Sequence, residues 1–138
     1  MYKELILDNK NVARAHPQEP ALPAEIEDAE KAVGYPFPTE LRELLSEMNG
    51  DGWLFFSTEQ IKETVAVNRE YLLECYDDIE RHIFFAGNGC GDCYCYNIDS
   101  DGGADVDRIY IWQHETNETD LVASNLAELI RRYYNDEI

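Results

Sequence analysis

Two stretches decide the fold: Asp92-Cys93-Tyr94-Cys95-Tyr96-Asn97-Ile98 (residues 92–98) and Arg108-Ile109-Tyr110-Ile111-Trp112-Gln113-His114 (residues 108–114). In each, side chains of one kind return at every second position, which is the period of a β-strand. The residues between them are rich in Asp and Gly and predict a solvated hairpin loop. Upstream, His82–Ala86 is apolar and aromatic, and Asn88-Gly89-Cys90-Gly91 reads as a turn. Downstream, Thr119–Ala123 reads as a further strand. The second half of the chain is therefore a run of strands.

The first half reads as helices. Leu22, Ile26, Ala29 and Val33 fall at helical spacing over residues 23–33. Pro23 suits the first turn, and Gly34 is a C-terminal stop. Thr39 is placed to cap a second helix carrying Leu41, Leu44, Leu45 and Met48. Asn49-Gly50-Asp51-Gly52 ends it, and Trp53–Phe56 reads as a short strand. Ser57 and Gln60 form a capping-box pattern for a third helix over about 58–76. Ser124 or Asn125 caps a last helix with Leu126, Leu129, Ile130 and Tyr133 as its stripe. Residues 8–20 are polar and contain two prolines. They predict an entry loop or, with the residues before them, a loosely held arm over 1–20. Helices followed by strands and a closing helix predict an α+β fold: a mostly antiparallel sheet flanked by helices, in one domain of 138 residues.

Acidic residues number 29 and basic ones 11, a formal charge of −18. That charge argues against a general nucleic-acid binder and against docking on anionic lipid. It favours basic partners. No stretch approaches the length of a signal peptide's apolar core or a membrane span, so a cytoplasmic location is the default expectation. Cys75, Cys90, Cys93 and Cys95 are then expected as thiols.

An ordered set of residues resembles a known family. The set begins with Leu22-Pro23, Ile26, Glu30, Gly34, Phe37-Pro38-Thr39-Glu40-Leu41 and Asn49-Gly50-Asp51-Gly52. It continues with Gly89-Cys90-Gly91-Asp92, Tyr94 and Tyr96. The chain is similar to the SUKH superfamily, the Smi/Knr-like proteins, from about Leu22 to the final helix. The resemblance implies an α+β fold with a central sheet. It also implies a non-enzymatic protein-binding role. Many bacterial members are immunity proteins that neutralise secreted or contact-delivered toxin domains, often nucleases. Eukaryotic members are regulatory interaction modules. The resemblance transfers no catalytic or partner-binding residue.

Several constellations have chemical potential. Cys90-x-x-Cys93-x-Cys95 offers thiols for zinc or redox chemistry, but Cys93 and Cys95 share one strand face, where cysteine packs as a small hydrophobe. Asn97–Gly102 matches the opening of a calcium loop, yet Arg108 stands where the closing Glu is required. No serine or cysteine sits in a recognisable nucleophile motif, and no Gly-rich loop precedes a helix. Neither cofactor nor metal is expected. Tyr94 and Tyr96 oppose Cys93 and Cys95, and Tyr110 and Trp112 oppose Ile109 and Ile111. Both sheet faces are thus partly apolar. Either helices cover both, or one is left as an aromatic groove.

The leading expectation is an immunity protein that binds a basic toxin domain. Asp99, Asp101 and Asp105 would steer the partner, and Tyr110 and Trp112 would anchor it. The alternatives are a regulatory module with an endogenous partner, or a zinc or redox sensor at the Cys90 cluster.

Overall fold

In the computed structural model, which describes residues 1–138, the alternating runs become β2 (Cys93–Asn97) and β3 (Ile109–Gln113). They are flanked by β1 (His82–Gly87) and β4 (Glu118–Ala123). The spatial order is β1-β2-β3-β4, and every neighbouring pair is antiparallel. The helices are α1 (Tyr2–Leu7), α2 (Pro23–Val33), α3 (Thr39–Glu47), α4 (Thr58–Tyr71) and α5 (Leu126–Tyr134). The fold is α+β, as the order of elements predicts.

The register sorts side chains onto two faces. Tyr94 lies opposite Ile111, while Cys93 lies opposite Trp112 and Cys95 opposite Tyr110. One face carries Ile83, Phe85, Tyr94, Tyr96 and Ile109 into the main core with Ile26, Leu41, Leu44, Ile61, Leu126, Leu129 and Ile130 from the helices. Phe85 stacks on Tyr96 with centroids 4.8 Å apart. A bulge in β1 between Phe84 and Ala86 breaks strict alternation, so Phe85 and Ala86 both join this core. Each of these large side chains contributes roughly 1.5–3 kcal/mol by leaving water. The opposite face carries Phe84, Cys95 and Trp112 under Ile79, with Leu72 and Tyr76 packed against them.

Helix ends follow local chemistry. In α4, Ser57 Oγ accepts from Gln60 N and Gln60 Oε1 accepts from Ser57 N, the reciprocal cap expected. Asn125, not Ser124, caps α5 by accepting from Glu128 N. Leu22 is exposed and precedes α2, whose buried stripe is Ile26, Ala29 and Val33. Pro38 holds the cap position of α3, and Thr39 is its first helical residue.

Three expectations are corrected. First, Trp53–Phe56 makes a single bridge, Phe55 to Ala86. Asp51 Oδ1 takes the N–H groups of Trp53, Leu54 and Phe55, which curls the segment into a turn instead of a strand. Second, α4 ends at Tyr71, five residues before the expected end at 76. Asn68 O accepts from both Leu72 N and Leu73 N, and the chain turns to lay Tyr76 and Ile79 on the sheet. Third, residues 1–20 are not a loose arm. Tyr2 and Ile6, four apart on α1, are buried in the core. His16 N, Gln18 N and Ala21 N donate to Asp51 O, Gly50 O and Leu45 O, and Glu19 O accepts from Asn49 N. The segment is a strap across the 49–52 turn. Gly50 has φ +86°, and a Cβ there would meet Ser57 N at 2.9 Å, so the turn needs glycine twice over.

Candidate functional site

The outer face of the sheet is covered on one side and open on the other. The row Phe84, Cys95, Tyr110, Leu121 runs across all four strands on that face. Exposure rises along it: Phe84 and Cys95 are buried, Tyr110 is half-buried and Leu121 is 61% exposed. The segment 72–81 covers the β1–β2 side and stops at Trp112, whose ring packs edge-on to Phe84 at 5.2 Å and to Tyr76 at 6.2 Å. Beyond it, β3 and β4 present Tyr110, Thr119 and Leu121.

Trp112 is therefore corrected as a surface anchor. Its side chain is buried, and its Nε1 donates to Asn117 Oδ1 at 2.8 Å. It holds the β3–β4 turn, in which Asn117 has φ +61°. Tyr110 remains accessible. Leu121, which pairs with Tyr110, is exposed on the same face.

The acidic loop joins β2 to β3 beside this patch. Asp99 and Asp101 are exposed, and Asp105 is half-buried. Asp99 N donates to Gly103 O, Gly103 N to Asp101 Oδ1, and Asp107 N to Asp105 Oδ1. The last two of these bonds use the Asp101 and Asp105 carboxylates to shape the loop. Arg108 Nε lies 3.9 Å from Asp105 Oδ2, and the Tyr110 phenol also lies against this guanidinium. Arg108 so ties the loop to the patch, a role the sequence reading gave only as the break in a calcium pattern. No three His, Cys, Asp or Glu side chains of the chain converge as a metal site.

The cysteines are free. Burial pushes the Cys93 thiol up to about 12 and the Cys95 thiol higher still. Both behave as small apolar groups in the outer core. Cys75 and Cys90 are exposed and lie apart from that core.

Asp92 and His114 form a pair that the sequence reading did not join. His114 Nδ1 and N both contact Asp92 Oδ1, at 2.7 Å and 3.2 Å. The side-chain hydrogen bond from His114 holds the Asp92 carboxyl below its ordinary range. Gly91 packs so closely that a Cβ would meet the ring at 2.9 Å. The far nitrogen of the ring faces Glu115 Oε1 at 3.9 Å, and no hydroxyl or thiol hydrogen-bonds to it. The pair lacks a nucleophile and joins the 88–92 turn to the end of β3.

The largest cleft, about 530 Å³, lies where the strap crosses the 49–52 turn, and Gln18, Glu19, Glu25, Asn49, Ser57 and Gln60 line it. Its lining has no hydrophobic side chain, unlike a small-molecule pocket. No helix is long and apolar enough to cross a membrane.

The model of the SMI1 / KNR4 family (SUKH-1) matches residues 20–132. No curated protein matches the sequence.

Proposed function

The chain belongs to the SMI1 / KNR4 family (SUKH-1), a family known for toxin immunity and generally non-enzymatic, and from that premise we propose that it neutralises a basic toxin domain by binding it. The observation that carries the reading is the open half of the outer sheet face, with an acidic loop leading into β3. Tyr110 and Leu121 offer an apolar centre, and the loop carries Asp99, Asp101 and Asp105. An aromatic and aliphatic centre with a charged rim is the anatomy of a protein interface.

The charge of −18 supports the same reading. A nuclease surface is basic because it must hold phosphates. An acidic protein competes for that surface, and long-range attraction speeds the encounter. The proposed activity is stoichiometric occlusion in the cytoplasm, with no bond made or broken.

The test is capture of the tagged protein's partner from its host at low and moderate salt. The basic domain of the captured polypeptide is then expressed alone. The reading expects that domain to arrest growth, co-expression of this chain to restore it, and the association rate to fall as salt rises. A stoichiometric partner without toxicity would overturn immunity in favour of regulation.

A further inference from the structure

We propose that the partner is held by strand addition: an extended segment pairs with the free edge of β4, its apolar side chains on the Leu121 face and its Lys or Arg side chains against Glu118 and Asp120. The inference rests on the protein-binding reading above and names how that binding is made.

The two sheet edges differ. The β1 edge is closed by the chain itself, since Phe56 N donates to Phe85 O and Gly87 N to Leu54 O, both at 2.9 Å. At β4 the backbone of Thr119, Asp120 and Leu121 hydrogen-bonds to nothing outside the β3–β4 ladder. An edge strand of an antiparallel sheet turns alternate N–H and C=O groups outward, and those groups template another strand. The two ends of this edge are engaged, where Glu118 N donates to Thr116 Oγ1 and Arg132 Nη1 donates to Val122 O.

The side chains specify the occupant. Leu121 pairs with Tyr110 on the outer face, while Asp120 pairs with Ile111 and Glu118 with Gln113 on the other. Glu118, Asp120 and Leu121 are all exposed. Any strand added here continues the apolar row on one side and meets carboxylates on the other. A second copy of this chain, pairing edge to edge, would bring like charges together, which is unfavourable. An amphipathic basic strand meets complementary charge and buries Leu121. Pairing of this kind takes affinity from the main chain and specificity from alternate side chains.

The test is amide hydrogen exchange on the full chain with synthetic octapeptides. An alternating Lys-Val peptide is expected to slow exchange within residues 119–121 by about tenfold or more and to leave residues 54–56 unchanged. The same peptide with alternate backbone amides methylated, and an alternating Glu-Val peptide, are expected to have no such effect. Equal protection by the methylated peptide, or none by the Lys-Val peptide, would overturn strand addition. Exchange measured in complex with the captured toxic domain separates the two readings. Binding without protection at 119–121 would remove strand addition and leave immunity standing. Failure of any toxic domain to bind would remove both.

Discussion

The two faces of one sheet have opposite fates, although the same strands build them. On the helix side, Tyr94, Tyr96, Ile83, Phe85 and Ile109 are fully enclosed. On the outer side, Phe84, Cys95 and Trp112 are enclosed by the 72–81 segment, and Tyr110, Thr119 and Leu121 are left open. Alternation supplies apolar side chains to both faces. What differs is the amount of chain available to cover them. Four helices and the strap serve the inner face, whereas the outer face has the end of α4 and a short turn. Stability is therefore concentrated on one face, and accessible apolar surface on part of the other.

The largest effect expected concerns Asp51, which sits on the inner side with no solvent exposure. Its Oδ1 accepts from three backbone N–H groups, and its Oδ2 accepts from the Tyr134 hydroxyl at 2.6 Å. Asp51→Ala leaves these donors buried without a partner and should cost about 3 kcal/mol or more in a urea titration. Asp51→Asn keeps one acceptor oxygen and should cost less. Equal losses for the two would show that charge, not acceptor geometry, holds the turn.

A pair of leucines sharpens the comparison. Leu129 on α5 is completely buried, and Leu121 on β4 is largely exposed. Leu129→Ala should cost about 2–5 kcal/mol through lost burial and a cavity. Leu121→Ala should change stability by no more than about 0.5 kcal/mol. A large loss at Leu121 would mean that the open half of the outer face is structural after all.

The smallest effect is one of pH, at the covered half of the outer face. His82 packs beside Phe84 and bonds Asn97 Oδ1 at 2.7 Å through Nδ1. Burial lowers its pKa below the ordinary 6.5, while Asn97 and Asp78 pull it upward and Arg81 adds to the lowering. The unfolded chain thus takes up a proton first as pH falls. Stability is fully present above 6.5 and declines as pH drops through that value toward the lower folded one. His82→Gln should flatten this slope when unfolding midpoints are compared across the window. An unchanged slope would place the titrating group elsewhere.

Periodicity and caps made much of the fold legible. The stripe of α5 and the alternation of β2 and β3 are local patterns, and the structure realises them. One failure was local: Asp51, two residues before Trp53, claims its N–H as in an Asx turn. The others were non-local. The polar, proline-containing stretch 8–20 hides that Tyr2 and Ile6 fasten the segment before it. The site was half legible for the same reason. The acidic loop and Tyr110 could be read along the chain, but which of Tyr110, Trp112 and Leu121 stays open depends on where the 72–81 segment stops. That stop is fixed by the packing of Tyr76 on Trp112.

The most direct test compares inhibition of the captured toxic domain by the native chain and by a Tyr110→Ser, Leu121→Ser double variant, with thermal melts of both. The account predicts closely similar melts and a loss of inhibition in the variant of about tenfold or more. Undiminished inhibition by a folded variant would contradict it and move the binding surface off the open half of the sheet.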